Sequence, residues 1–187
     1  MATMFVTDGK IAVDLTATYP SGSAGSTSPW PCAPGTIVAT SNGGEAIFVR
    51  AESTVVQYDC VAIGYFGDSA TAATGTPIPR VMPVTTTSVA AAGATGTGPS
   101  IAVAQTAITS GQYGWVFTKG TALRVKCLIA CQPNVLLYTT GTAGSLDDAV
   151  VSAGMIVGLT ILTSATSASA PFCLLNNPHV VLYAVQA

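Results

Sequence analysis

The hydrophobic positions of this 187-residue chain fall in short runs that are separated by turn-forming residues. The clearest run is residues 45–51 (EAIFVRA), which follows the turn Asn42-Gly43-Gly44 and ends at Glu52-Ser53. Short runs of β-branched and aromatic residues between Gly, Asn and Ser are typical of β-strands. The pattern therefore predicts short strands that are joined by tight turns.

Similar runs predict the other strands, at residues 54–63, 101–107, 111–117, 121–130, 135–138, 155–162 and 180–185. In the run 121–130, Leu123 and Val125 alternate with Arg124 and Lys126, which is the period of a strand with one buried face. The polar residues 118–120 before this run predict a hairpin turn. We expect an all-β fold, a compact antiparallel β-barrel or sandwich, with helix limited to one or two turns near Asp147.

The first 34 residues lack this pattern. Residues 19–35 contain four prolines, and residues 21–28 are almost entirely Gly and Ser. This composition predicts an extended N-terminal arm at residues 1–34, followed by a β-rich domain at residues 35–187. The two halves of that domain, 35–107 and 108–187, share a plan of an aromatic strand, a polar turn and a strand that ends in Cys, which is weak evidence for two similar lobes.

The predicted arm carries candidate contact residues for a partner. Ile11, Val13 and Leu15 alternate with polar or small residues, as in a strand that pairs with an exposed edge of a partner. Phe5 precedes them, and Trp30 lies between two prolines, where a stiff segment presents it as an anchor. We expect the arm to be ordered only on its partner. The alternatives are that the arm packs on its own domain and that Trp30 belongs to a plain loop.

Charge is scarce along the whole chain. Charged residues make up 7% of it, against about 25% in an ordinary soluble domain. Because surface charge keeps monomers apart, this composition indicates a protein that is packed against copies of itself or against another protein. The net charge of −2 and the six scattered basic residues leave no electrostatic footprint for nucleic acid.

Residues 149–165 are a candidate membrane span, because they are uncharged and apolar and approach the length of a spanning helix. Gly154 and Gly158 interrupt the segment, and neither end carries a basic cluster or an aromatic belt. Residues 155–162 are rich in β-branched residues. They predict one buried strand, and we expect no membrane partner.

The five cysteines are Cys32, Cys60, Cys127, Cys131 and Cys173. No leader segment is recognised before them, so we expect reduced, mostly buried thiols made in a cytoplasm. A metal site at Cys127 and Cys131 is the alternative. On a strand the two residues lie about 13 Å apart, too far to share a tetrahedral ion without a bend. We expect no metal and no cofactor.

Candidate catalytic groups are few. Asp147 and Asp148 are adjacent, so on a strand they point to opposite faces and cannot work as an acid–base pair. The single histidine, His179, follows Asn-Pro and has no recognisable partner. No sequence motif of a hydrolase, a nucleotide-binding loop or a zinc enzyme occurs. We therefore expect a protein that is not an enzyme.

A family resemblance is carried by the second half of the chain. Its residues are the segments 111–116 (GQYGWV), 119–120 (KG), 136–138 (LLY), 142–144 (TAG), 147–148 (DD) and 156–158 (IVG). In this order they resemble the small capsid decoration proteins of tailed bacteriophages, also called cement or head-stabilisation proteins. The hairpin at 43–51 is similar to the first half of the same family. The resemblance covers about residues 35–185 and leaves out the Pro-rich segment 19–35.

The resemblance implies a homotrimeric β-barrel that sits at three-fold positions on the outer surface of a phage capsid. Its partners would be the major capsid protein and itself, and it would be synthesised in the host cytoplasm. Tyr113 and Trp115 would lie in the core or near the subunit seam. The alternative function is a fibre component or an adhesin-like receptor-binding knob. Fibres usually contain long repeats of β segments, whereas this chain has at most one uncertain repeat.

Overall fold

The computed structural model of the chain describes residues 13–20, 30–41, 43–64, 78–87, 97–149, 154–166 and 169–181. All named elements in this part of the chain are strands, which confirms the predicted all-β fold. The strands are β1 (Ile37–Ala39), β2 (Glu45–Ala51), β3 (Cys60–Gly64), β4 (Arg80–Pro83), β5 (Thr97–Ala104), β6 (Tyr113–Arg124), β7 (Leu137–Thr139), β8 (Leu146–Asp147), β9 (Met155–Ile161) and β10 (Phe172–Val181).

Five of the strands close into a ring. β2 pairs with β4, β4 with β3, β3 with β5, β5 with β6, and β6 with β2. The β2–β4 pair is parallel and the other four pairs are antiparallel, so the barrel that we predicted as antiparallel has one parallel contact. Closure pairs both edges of each ring strand, which removes the unpaired edges that promote aggregation.

The remaining strands extend this ring into a second layer. β10 pairs with β6 through residues 172–176 and with β5 through His179 and Val181. β9 lies on the other side of β10 and is followed by β7 and β8. At Asn177, β10 leaves β6 and begins to pair with β5. Asn177 has a φ of 47°, and Gly158 opposite it on β9 has a φ of 83°. A side chain at Gly158 would place its Cβ 2.7 Å from the Asn176 carbonyl oxygen, so this bend requires glycine.

Two apolar cores lie on opposite faces of the ring strands. In β2, Ile47 and Val49 belong to the small core inside the ring, and Ala46 and Phe48 belong to a larger core outside it. The inner core contains mainly valine and alanine, whereas the outer core also receives side chains from β7, β9 and β10. Because both faces of these strands are buried, their sequences are continuously apolar and do not alternate with polar residues.

The predicted hairpin turn at residues 118–120 is wrong. β6 runs without interruption from Tyr113 to Arg124, because Lys119 pairs with Glu45 and Gly120 pairs with Leu175. The predicted strand 121–130 correspondingly ends at Arg124. After it, Cys127 forms only isolated bridges.

Two other predicted strands are displaced. In the run 54–63, Val55 forms an isolated bridge with Ile108, Tyr58 is left-handed with a φ of 70°, and β3 begins only at Cys60. The predicted strand 180–185 begins earlier in the structure, at Phe172, and residues 182–187 lie outside the described part. No helix in the described residues is long and apolar enough to cross a membrane, and the segment 149–165 contains β9.

Candidate interaction surface

The described part of the predicted arm packs on the domain of its own chain. Val13 and Leu15 are buried in the outer core. Tyr19 forms a bridge with Tyr113, and two backbone hydrogen bonds of 2.8 Å join these residues. The side chains of Val13 and Leu15 are therefore not on the surface, where a partner would contact them. Phe5 and Ile11 lie outside the described residues.

The predicted aromatic contact residues form a stack in the same outer core. The half-buried Trp30 ring lies 4.3 Å from the Tyr113 ring, centroid to centroid, and its Nε1 donates a hydrogen bond of 3.1 Å to the Pro20 carbonyl oxygen. Phe48 lies 5.0 Å from the Trp115 ring. Tyr113 and Trp115 are buried, so of their two expected locations the structure has them in the core of the chain. Trp30 covers Tyr113.

All five cysteines are free in the structure, and four of them are buried, which confirms the predicted burial. Burial raises the pKa of Cys131 to about 11 and that of Cys173 to about 12, because a thiolate is poorly solvated in an apolar interior. Burial also raises the pKa values of Cys60 and Cys127. These four thiols stay protonated at neutral pH and act as packing groups.

Cys131, Asp147 and Asp148 bring their donor atoms within 4.8 Å of one another, close enough to share a cation. The contacts have another explanation. The Cys131 thiol donates to Asp147 Oδ1 at 3.5 Å, and the Gln132 N–H donates to Asp148 Oδ2 at 2.9 Å. The two carboxylates thus accept hydrogen bonds from the loop at residues 131–132, and we assign no metal to the cluster.

An ion pair between a buried carboxylate and a half-buried lysine joins the loop before β3 to the segment after β6. The Asp59 carboxylate is 3% exposed and lies 2.7 Å from Lys126 Nζ, and it also accepts a hydrogen bond of 2.7 Å from the Val56 N–H. Gly144 closes over it, and a Cβ at this position would overlap the carboxylate. The pair therefore holds three loops in one arrangement.

A groove of about 430 Å³ opens beside this ion pair. Its lining combines two cations with hydroxyl groups and small apolar side chains. The lining residues are Tyr58, Arg124, Lys126, Cys127, Leu128, Thr142, Ala143, Ser145, Ser169 and Ala170. Asp59 neutralises Lys126, so Arg124 supplies the uncompensated charge of the groove.

An exposed apolar face lies next to the groove, on the outward side of β9 and β10. Leu162, Phe172 and Leu174 are each exposed by 40–45%. The Leu162 N–H donates to the Phe172 carbonyl oxygen at 2.7 Å, so these two residues are neighbours across the strands. Along β10, Phe172 and Leu174 are exposed and Cys173 between them is buried, so Phe172 and Leu174 lie on the same side. We call these three side chains the outer apolar face.

Further exposed apolar side chains flank the outer apolar face. Ile129, Val135 and Leu136 belong to a loop whose backbone is hydrogen-bonded to residues 161 and 165 at the end of β9. Six of the eight large exposed hydrophobic residues of the described chain therefore lie between residues 129 and 174. Scattered exposed leucines are normal in proteins, but the three residues of the outer apolar face are neighbours across paired strands and therefore form a candidate interaction surface.

Arg124 connects the groove with the outer apolar face. Its guanidinium carbon lies 4.5 Å from the centre of the Phe172 ring. The Gln105 side chain holds the backbone of Arg124. Its Oε1 accepts a hydrogen bond of 3.2 Å from the Arg124 N–H, and its Nε2 donates one of 2.8 Å to the Arg124 carbonyl oxygen. The contact with Phe172 places the side chain of this exposed arginine between the two surfaces.

Sequence reasoning did not find the outer apolar face. The run Phe172-Cys173-Leu174-Leu175 contains only apolar residues, so its pattern could not show which side chains face outward. The alternation at residues 123–126 predicts Arg124 as an outward residue of a strand, but its contact with Phe172 joins residues that are 48 positions apart. No local signal predicts such a contact.

No protein-family model matches the chain, and no curated protein matches it. Among solved structures, the chain is similar to the N base of the head fibre protein gp8.5 of bacteriophage phi29. The two chains have 18% sequence identity and a TM-score of 0.46, over 74% of this chain and 98% of that chain.

Proposed function

We propose that the chain is a structural protein of a bacteriophage virion that binds the outer surface of the head and links neighbouring capsid subunits. The observation that carries this proposal is the outer apolar face on a chain with only 7% charged residues. A clamp across capsid seams needs apolar contact area and a rigid support, and it needs no chemistry. The closed ring beneath β10 supplies the rigid support.

The residues that carry the family resemblance support the proposal by their position. Most of them fall on the ring strand β6, on β9, β7 and β8, which are consecutive in the sheet, and on the loop at 142–144. The groove is lined by the end of β6 and by the same loop, and the outer apolar face lies on β10, between β6 and β9, and at Leu162 just after β9. A shared motif and a surface fit for binding therefore occupy one region of the chain.

A homotrimer is part of the proposal. The resemblance implies this state, and the scarcity of surface charge favours self-association. Light scattering of the purified protein should give a mass three times the 18.7 kDa of one chain. A monomer at micromolar concentration that still binds heads would contradict the trimer without affecting the rest of the proposal.

Emptied heads of the virus that encodes the chain provide the direct test of binding. The purified protein should sediment with them, and electron microscopy should show added density at regular lattice positions on the outer surface. Heads mixed with Leu174→Ser protein provide the control, because this substitution places a hydroxyl in the outer apolar face. Absence of sedimentation by the unchanged protein would contradict head binding.

A receptor-binding knob is the second candidate, and the groove favours it. Hydroxyl groups and two cations around a cavity of about 430 Å³ are features of small-ligand sites. A knob should bind host cells or their surface glycans, whereas a clamp should bind heads. Adsorption of the labelled protein to host cells, with no binding to heads, would favour the knob.

A further inference from the structure

Arg124 is an exposed residue whose guanidinium has no carboxylate partner among the described residues. Arg80 forms an ion pair with Glu52 at 2.9 Å, Lys119 with Glu45 at 3.7 Å, and Lys126 with Asp59 at 2.7 Å. The Arg124 side chain lies over Phe172 instead, at 4.5 Å from its centre. Within the described part of the chain, its positive charge is therefore compensated only by the weak field of an aromatic ring.

We propose that Arg124 and the outer apolar face together bind a protein segment of the partner in which one Asp or Glu is flanked by aliphatic side chains. The carboxylate would pair with the guanidinium, and the aliphatic side chains would cover Leu162, Phe172 and Leu174. This inference deepens the proposed function, since it states the chemistry of the partner segment on the head.

The geometry of Arg124 favours a carboxylate as the ligand. A guanidinium offers planar pairs of N–H donors that match the two oxygens of a carboxylate. The contact with Phe172 orients this side chain before binding, so less conformational entropy is lost when the carboxylate arrives. The apolar neighbours exclude water from the pair and strengthen it.

Two other ligand classes fit less well. A sugar would stack on an exposed aromatic ring, but the guanidinium of Arg124 covers one face of Phe172. A nucleic acid needs several uncompensated cations along its path, and Lys126 beside Arg124 is neutralised by Asp59. The charge and the surface together fit a single carboxylate within an apolar segment.

A matched pair of peptides tests the chemistry without heads. One is Ac-Ser-Leu-Asp-Leu-Ser-NH₂, and the other carries Asn in place of Asp. In NMR titrations of the full chain, the acidic peptide should shift the Arg124 Nε–Hε resonance and the Phe172 ring signals in a saturable way. The Asn peptide should bind roughly tenfold to a hundredfold more weakly, the usual range for losing a charged hydrogen bond. Equal effects of the two peptides, or no saturable shift, would overturn the inference.

A charge exchange separates recognition from a structural role. Arg124→Glu should abolish binding of the acidic peptide and should bind the same peptide with Lys in place of Asp. Lys119→Gln is the matched control, since it removes one exposed charge from the same strand and should leave the acidic peptide bound. If Arg124→Glu binds neither peptide while its unfolding curve equals that of the unchanged protein, the inference is wrong.

Sedimentation with heads separates the two proposals. If the unchanged protein binds heads and Arg124→Gln binds them equally well, the inference is wrong and head binding stands. If the unchanged protein does not bind heads but the acidic peptide still saturates at Arg124, head binding is wrong and the carboxylate site stands. Addition of a neutral oligosaccharide that displaces the acidic peptide would also overturn the inference, since it would indicate a sugar site.

Discussion

The five-stranded ring and the β9–β10 layer show two different reasons for an apolar sequence. The ring strands are apolar because both of their faces are buried, as Phe48 and Val49 on successive positions of β2 illustrate. In β10, Leu174 and Leu175 are also successive and apolar, but Leu174 is 40% exposed and Leu175 is 1% exposed. The first pattern stabilises the fold, whereas the second leaves apolar area for a partner. A low content of charge therefore does not by itself indicate which regions bind.

The largest expected effect is in the outer core beside the ring. Phe48→Ala should lower the free energy of unfolding by about 3–5 kcal/mol, because Phe48 is fully buried between Tyr19, Tyr113 and Trp115. The matched change Phe172→Ala should cost about 1 kcal/mol or less, mainly from the lost contact with Arg124. Urea unfolding followed by tryptophan fluorescence measures both. Equal losses would show that the β9–β10 face is as much a part of the core as the ring.

The next effect concerns the ion pair between Asp59 and Lys126, which joins the loop before β3 to the segment after β6. Lys126→Met should lower the free energy of unfolding by about 2–4 kcal/mol, because the Asp59 carboxylate would lose its counter-charge in a buried site. The double variant Asp59→Asn with Lys126→Met should recover part of this loss, since no unpaired charge remains. A double variant that is less stable than Lys126→Met alone would contradict a role of the pair as mutually compensating charges.

The thiols provide a pH-dependent contrast. Burial raises the pKa of Cys131 from its usual 9.0 to about 11, so between these values the folded chain keeps a proton that the unfolded chain releases. This contribution is complete below pH 9 and is lost as the pH rises towards 11, at about 1.4 kcal/mol per pH unit for one thiol. Cys131→Ala should flatten the decline of stability between pH 9 and 10.5 by about this slope. Parallel curves for the two proteins would contradict the prediction.

The smallest expected effect on stability lies in the outer apolar face. Leu174→Ser should change the free energy of unfolding by no more than about 0.5 kcal/mol, because its side chain already contacts water. The neighbouring change Leu175→Ser should destabilise the protein strongly, since it places a hydroxyl in the outer core. Thermal unfolding compares the two variants. A large loss of stability in Leu174→Ser would show that this face is structural and is not an interaction surface.

The amino-acid sequence by itself determined the class of fold and several of its elements. The run 45–51 forms β2 with the predicted bounds, and the run 155–162 forms β9 to within one residue. The burial of the cysteines was also predicted from the sequence, and four of the five confirm it. These features depend on local preference and on hydrophobicity, which the sequence states directly.

Tertiary structure decided which polar positions end a strand and which apolar positions face water. Residues 118–120 have the composition of a turn, yet pairing with β2 and β10 on either side keeps them in one long strand. Phe172 and Leu174 have the composition of a core, yet no described element covers the outward side of β10. Both outcomes depend on partners that are distant in sequence, and therefore on how the ring closes. The contact of Arg124 with Phe172, which creates the candidate site, exists only because β6 and β10 are neighbours in the sheet.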